Sequence, residues 1–471
     1  MAISKAAQPQ FNPYGDDDPV PVVPDALWLA PVASGALESR LQLPGSKSLT
    51  NRELVLSALA DEPTLLTAPL HSRDSALMIQ ALRSLGVTIE EVAGEGAFCP
   101  DLLVTPGDLL GGGSIDCGLA GTVMRFLPPL AALALGPVAF DGDENARRRP
   151  MRTMIDALRA LGVDVSDDGR GALPFSLYGT GEVAGGDLEI DASASSQFVS
   201  GLLLSAPRFT NGLRLRHTGS TLPSLPHIEM TIVALAARGV VVHNDEPGLW
   251  VVERQTISGG TVAIEPDLSN AAPFLAAALV AGGTVTIEGW PSVTTQVGAD
   301  LETLLPLFGA EVRRDGSALT VNGGRGILGG AELPGVDLDL STGGELAPAI
   351  VALAALATGP SRITGIGHLR GHETDRLAAL AAEINRLGGD VTELEDGLEI
   401  RPRPLHGGRW ETYEDHRMAT AGAIIGLAVP GVEIEDIGTT AKTLPQFPEL
   451  WRGQTGELDG GTSIRQIDAP W

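Results

Sequence analysis

An amphipathic helical stretch, a glycine and a β-branched run follow one another five times along the chain: IQALRSLGVTI, IDALRALGVDV, IVALAARGVVV, LETLLPLFGAEV and LAAEINRLGGDV. The glycines, Gly86, Gly162, Gly239, Gly309 and Gly388, recur at nearly even spacing, the mark of a repeat architecture. Glycine just past a helix end supplies the left-handed turn into a following strand, so each unit is expected to turn the same corner. A second helix, apolar on most faces, precedes each of these: LTNRELVLSALA, TVMRFLPPLAALALG, SSQFVSGLLLSAP, NAAPFLAAALVAG and ELAPAIVALAALATG. A sixth, HRMATAGAIIGLAVPG, lacks its downstream partner. A helix that is apolar all round must be buried within a domain and not laid over its surface. Six units in 471 residues, each with two helices and several short strands, predict an α/β chain of two domains with three units apiece.

The core of such a chain must be built from Ala, Val, Leu and Ile, because hydrophobic residues make up 43% of it but aromatics only 4%. Lys and Arg number 32 against 59 Asp and Glu, a net charge of −27, which argues against nucleic acid or an anionic membrane as partner. Any anionic ligand must then meet basic residues concentrated in one cleft. Cys99 and Cys117 are too few for a disulfide framework and lie in no metal-ligand spacing, which fits a reducing compartment. The stretch from Met1 to Asp25 reads as a loose polar tail without the apolar core of a signal peptide. The apolar run from Phe126 to Phe140 is broken by proline and too short to span a membrane. The expectation is a soluble, cytoplasmic protein.

The polar residues of the repeat gather at the beginning of the buried helix in every unit: Lys47 and Ser48, Gly121 with Arg125, Ser195 to Gln197, Asp267, Glu345, and Asp415 to Arg417. Lys47, Gly121, Ser196, Asp267, Glu345 and His416 keep the same near-even spacing as the glycines, so equivalent positions of six units are expected to face one another. Helix N-termini carry unsatisfied N–H groups and roughly half a positive charge each; six converging on one cleft would bind phosphates or carboxylates despite the acidic surface.

Each motif also has an ordinary reading. LPGSKSLTNR, Leu43 to Arg52, offers a turn, hydroxyls, an ammonium and a guanidinium at one helix start, as a phosphate site requires; Ser46 alone would be a plain cap. CGLAGTVMR is a glycine turn into a helix, with Cys117 a packed thiol. In DENARRRPM a solvated charge run is the usual account, Arg149 beside a helix-opening Pro150 being the exception. SASSQF offers hydroxyls and an amide, although serines at helix starts are generally caps. LRGHETDR would place acids at a helix head with His372 on the surface, and His416 of EDHRMATAG would be a structural histidine.

Taken together, LPGSKS, LAGTVMR, RRPM, SSQF, HETDR, DHRMA and AKTLPQFP resemble, in order and spacing, the 5-enolpyruvylshikimate-3-phosphate synthase family, from about Leu41 to Trp451. The resemblance implies two inside-out α/β domains of three βαβαββ units each, joined by two crossovers: residues 46–264 as the first, and 26–45 with 265–471 as the second. It implies transfer of the enolpyruvyl group of phosphoenolpyruvate to the 5-hydroxyl of shikimate 3-phosphate, with release of phosphate, on the way to chorismate and the aromatic amino acids. Carried over by position, Lys47, Ser48, Arg52, Ser195, Ser196, Gln197, Ser224, Glu345 and His372 would hold shikimate 3-phosphate. Lys47, Gly121, Arg149, Gln197, Arg376, Arg417 and Lys442 would surround phosphoenolpyruvate. Glu345 stands where the family has its general base, with Glu373 and Lys47 as candidates for proton transfer at the methylene carbon.

The chain departs from the commonest family pattern at Leu119, Glu345, His368 and His372, where Asn, Asp, Asn and Lys are usual, and has His227 for a frequent tyrosine and Phe126 for a frequent proline. His372 in place of lysine is expected to make one substrate contact dependent on pH. No metal or cofactor is expected, and a monomer is. The alternatives are the enolpyruvyl transferase that acts on UDP-N-acetylglucosamine, which carries a cysteine in a mobile loop near its arginines, and a catalytically silent phosphometabolite-binding protein. Cations facing across the cleft are expected to repel one another until the first anion binds and closes it.

Overall fold

The computed structural model describes residues 27–455. The tail expected over residues 1–25 and the stretch 456–471 of the second half lie outside the described residues. The helices in chain order are α1 (Lys47–Leu59), α2 (Arg73–Ser84), α3 (Gly121–Ala131), α4 (Glu144–Arg148), α5 (Arg152–Ala160), α6 (Gln197–Ser205), α7 (Leu225–Ala237), α8 (Leu268–Ala281), α9 (Leu301–Leu307), α10 (Ala347–Leu356), α11 (Arg376–Arg386), α12 (His416–Ala428) and α13 (Phe447–Thr455).

The repeat read from the sequence is the repeat of the fold. Helices α1, α3, α6, α8, α10 and α12 are the apolar ones, and each is buried along almost its whole length. Their small side chains allow close approach: α8 and α10 are built largely of alanine, leucine and valine and bury nearly every residue. Helices α2, α5, α7, α9 and α11 cover them with one apolar face each. All five glycines that follow take positive φ, from 80° at Gly239 to 99° at Gly86, the left-handed corner that the sequence pattern called for.

Among the described residues six sheets go with the six buried helices, five of four strands and one of three. The four-stranded sheets share one plan, a parallel pair extended by two antiparallel strands; in one of them Gly113–Asp116 runs parallel to Leu135–Asp141, which pairs antiparallel with Phe175–Thr180, and that with Asp164–Ser166. Two hydrophobic cores result. One is drawn from Leu54 to Ile257, the other from Trp28 to Leu43 together with Leu268 to Trp451. Strand Leu37–Leu41 lies parallel to Gly283–Glu288 in the second half, and Gly260–Ala263 lies parallel to Thr64–Thr67 in the first. The chain therefore crosses between the halves twice. The two crossings run side by side, Ser46 N donating to Glu265 O at 2.7 Å and Asp267 N to Pro44 O at 2.9 Å.

The sixth unit departs from the other five. After α12 comes a short 3-10 turn, Ile437–Lys442, and then α13, whose Phe447 and Trp451 stack on each other and pack against Phe274 of α8. Its sheet has three strands, one of them Trp28–Leu29 from the start of the described chain. Pro150 does not open the helix after the arginine run either; α5 begins at Arg152, and the run itself forms α4.

Candidate active site

The beginnings of α1, α3, α6, α8 and α12, and the 3-10 turn Gly344–Leu346 that leads into α10, converge on one cleft between the two cores. Its lining includes Lys47, Ser48, Gly121, Arg149, Ser195, Ser196, Gln197, Ser224, Glu345, His372, Glu373, Arg376 and Arg417, so nearly all the residues expected of the site are together. Arg125, Asp267, Ser269, Thr342, His227, His368 and His416 share that lining. A roomier groove of about 620 Å³ also lies between the halves, but its charged residues are Glu229, Glu246 and Asp300, the wrong sign for an anion.

In the first half, α1 presents Lys47, whose Nζ stands 3.5 Å from the buried Asp74 of α2, while its backbone N–H donates to Asp267 at the head of α8. Arg149 is buried and donates to Leu119 O at 3.1 Å. Its neighbours Arg147 and Arg148 are surface groups paired with Asp141 and Glu144, as the sequence suggested. Gly121 faces Gln197, Arg125 and Arg149: a Cβ there would come within 2.9 Å of Gln197 Oε1 and 3.1 Å of each guanidinium. Glycine keeps that corner open. Gln197 Oε1 is buried without a partner, and so is Arg125 Nε. Burial, with Arg149 adding to it, pulls Arg125 well below the usual arginine range, so this corner favours a negative charge.

The second half places acids among its cations. Arg376 donates from Nε and Nη2 to both oxygens of the fully buried Asp415, at 2.7 and 3.1 Å, and from Nη2 to Glu373 at 3.0 Å. Lys442 Nζ reaches Glu373 at 2.6 Å and Leu119 O of the first half at 3.2 Å. Burial by itself would raise the Glu373 carboxyl, but Lys442, then Arg376 and Arg149, hold it well below the usual range. Glu345 stands between two nitrogen-bearing groups, with His227 Nε2 of the first half at 3.6 Å and Arg417 Nη2 at 3.5 Å. There too burial works upward and is outweighed, by His227 first and then by Arg417 and Lys47, so the group is a carboxylate.

The geometry bears on three expectations. Arg52 does not line the cleft; it is 1% exposed and donates to Ser48 O, His227 O and Thr231 Oγ1 behind the wall. His372 lines the cleft with its side chain half-buried. Its setting in the cleft, then the nearby Arg376, push its titration well below the ordinary histidine range, so in this arrangement it stays neutral near pH 7 and a pH-dependent contact there moves to more acid conditions. Lys47, Arg376, Arg417 and Lys442 are each matched by a carboxylate, and the halves touch through Asn145 and Glu414 at 2.8 Å and through Ser224 N and Ser341 O at 3.3 Å. Asp74 and Asp415 carried no signal in the sequence as partners of Lys47 and Arg376. His416, whose buried ring nitrogens make no hydrogen bond and whose Nδ1 lies 3.6 Å from Asp415 Oδ1, is held neutral by burial and by Arg417.

Among the described residues no group of three or more His, Cys, Asp or Glu is placed to hold a metal ion, and no helix is long and apolar enough to cross a membrane. Cys117 is buried, and burial raises its thiol well above the ordinary range.

Comparison with known proteins agrees with this arrangement. Residues 32–451 match the family described as EPSP synthase (3-phosphoshikimate 1-carboxyvinyltransferase). A 3-phosphoshikimate 1-carboxyvinyltransferase of Kocuria rhizophila is 57% identical over 438 residues, 92% of this chain and 97% of that one. Among solved structures, an EPSP synthase from Acinetobacter baumannii superposes with a TM-score of 0.72 at 25% identity, covering 91% of this chain and 97% of its own. The enolpyruvyl transferase NikO from Streptomyces tendae has the same fold, with a TM-score of 0.70 at 18% identity and 91% and 97% coverage. Two cores, two crossings, six helix starts around one cationic cleft and a match over most of the length lead to one statement: the chain belongs to the EPSP synthase family.

Proposed function

We propose that the protein transfers the enolpyruvyl group of phosphoenolpyruvate to the 5-hydroxyl of shikimate 3-phosphate, releasing phosphate, as a step toward the aromatic amino acids. The observation that carries this reading is the pairing, in one cleft, of a cationic cage with two carboxylates, Glu345 and Glu373, that face different cations. Ser48, Ser195, Ser196, Gln197, Ser224 and His372 hold shikimate 3-phosphate, with Arg52 bracing the wall behind them. Arg149, Arg376, Arg417 and Lys442 neutralise the carboxylate and phosphate of phosphoenolpyruvate, and Gly121 leaves room for them.

Glu345 takes the hydroxyl proton as that oxygen bonds to C2 of phosphoenolpyruvate, and C3 receives a proton from the Glu373 side of the cleft, where Lys47 is the second candidate. The tetrahedral intermediate then loses phosphate from C2 and a proton from C3. Holding two polyanions in register is chiefly a matter of proximity and electrostatics. The two cores are the two domains, residues 46–264 and 26–45 with 265–471, which close on substrate about the paired crossings. The enzyme works as a cytoplasmic monomer.

Phosphate release from phosphoenolpyruvate, measured with and without shikimate 3-phosphate, tests the reading. Release that requires shikimate 3-phosphate supports it. Release that requires UDP-N-acetylglucosamine instead, or binding of both anions without turnover, replaces it with one of the alternatives.

A further inference from the structure

His227 is held more firmly than a chance cleft residue would be. It enters α7 through Ser224, a non-glycine residue in the left-handed region (φ 53°, ψ 48°) whose N–H crosses the cleft to Ser341 O. The His227 carbonyl accepts from Arg52 Nη2 at 2.8 Å, Thr231 Oγ1 at 3.1 Å and Ser200 Oγ at 3.3 Å, so donors from α1, α6 and α7 grip one backbone oxygen. The guanidinium that the sequence assigned to substrate is thus aimed at this histidine's backbone. A left-handed entry and a threefold clamp are strained or specific features that persist where a side chain must be aimed. What they aim is Nε2, at 3.6 Å from Glu345 Oε2 in the opposite half.

Glu345 alone is a poor match to its proposed task. Against the upward push of burial, His227 first, then Arg417 and Lys47, hold it ionised, and a carboxylate stabilised in that way accepts a proton weakly at neutral pH. The His227 ring nitrogen, 3.6 Å from Glu345 Oε2, is the group placed to share that proton.

Resting on the enolpyruvyl transfer proposed above, we propose that His227 is a positioning residue for Glu345, the two forming an imidazole–carboxylate pair across the cleft that receives the hydroxyl proton as one unit. The O–H bond of the acceptor hydroxyl breaks as its oxygen bonds to C2, and the electron pair of the double bond moves to C3, which is protonated from the Glu373 side. The proton leaves the hydroxyl to the pair, held between Glu345 Oε2 and His227 Nε2, and is lost to water when the cleft opens. Because one partner comes from each half, the pair exists only when the cleft is closed. The charged and titratable groups around it are Lys47 of α1, with Arg52 behind the wall, His368 of the 3-10 turn Gly367–Gly371, Arg376 of α11, and His416 and Arg417 of α12. Its titration therefore belongs to the pair and not to one ring.

The experiment is kcat and KM against pH for the full-length protein and for His227→Gln, Glu345→Gln and the double variant, with shikimate 3-phosphate affinity measured by calorimetry on each. In wild type kcat falls on the acid side as the pair takes up a proton. His227→Gln lowers kcat by about 10-fold or more, keeps shikimate 3-phosphate affinity within about 3-fold and loses the acid limb, while the double variant is no slower than Glu345→Gln because the two residues act as a unit. Should His227→Gln fail to bind shikimate 3-phosphate through misfolding, His227→Tyr, which keeps a ring with a polar tip, takes its place, and it also loses the acid limb. An unchanged acid limb, losses that multiply in the double variant, or a raised KM at unaltered kcat overturns the pair while leaving the transfer reaction standing. A wild-type protein with no shikimate 3-phosphate-dependent phosphate release overturns the transfer reaction and the pair with it.

Discussion

Each half of the molecule buries an arginine against a carboxylate, and the two arrangements do different things. In the first half Arg238, 2% exposed at the end of α7, gives two bonds to Glu53 at 2.7 and 3.0 Å and the rest to Thr64, Ser57 and the Ser258 carbonyl. Every N–H of that guanidinium is used, away from the cleft. In the second half Arg376, equally buried at the start of α11, is bound to Asp415 and Glu373, but its Nη1 has only the His372 ring at 3.5 Å and the residue lines the cleft. Burial and ion pairing are common to both and so mark neither as functional. An incompletely used donor at a cavity wall, beside a carboxylate that is itself shared with Lys442, separates a binding cation from a structural one.

The largest effect expected is on stability, and it should be alike in the two halves. Arg238→Met and Arg376→Met each strand a buried carboxylate and should cost about 3–5 kcal/mol, read as a lowered urea midpoint. The comparison breaks if, per folded molecule, Arg238→Met alters the KM for phosphoenolpyruvate; only Arg376→Met should, by about 10-fold or more. Next in size is Glu345→Gln, expected to reduce kcat by about 100-fold, equivalent to roughly 2.7 kcal/mol of barrier, with shikimate 3-phosphate binding largely intact. Near-normal kcat would remove Glu345 from proton transfer and leave Glu373 as the acid-bearing side of both steps.

A smaller effect concerns the contact between the halves. Since Asn145–Glu414, Lys442–Leu119 and His227–Glu345 already bridge the cleft, adding shikimate 3-phosphate should lower the radius of gyration in small-angle scattering only where an open population exists beforehand, and phosphoenolpyruvate affinity should rise with it. An unchanged radius with independent binding of the two substrates would mean a preformed cleft. The smallest expected effect is none: with no metal-ligand cluster among the described residues, turnover should survive exhaustive chelation, and an activity lost and then restored by a divalent ion would overturn the mechanism.

Much of the site was legible because its signals are local. A buried helix declares itself by being apolar all round, its start by the glycine, serine or acid that precedes it, and the repeat by its near-even spacing, so the six polar markers could be placed on one cleft before any coordinates. Local signals did not show how Arg52 is held, its guanidinium donating to the His227 carbonyl, nor that His372, which its own segment would place on the surface and the resemblance in the site, lines the cleft.

By itself the chain determined its α/β class, the sixfold repeat, the five left-handed corners and the residue types gathered at the helix starts, since each depends on neighbours within a few turns. Only the tertiary structure decided the partners: Asp74 for Lys47, Asp415 for Arg376, Glu373 for Lys442, His227 for Glu345. These pairs join residues far apart in the chain, and Lys442 meets the Leu119 carbonyl from the other half. Charge and pairing in a low-dielectric cleft depend on distances of a few ångströms, and such distances arise only once both cores have packed and the paired crossings have brought the halves together.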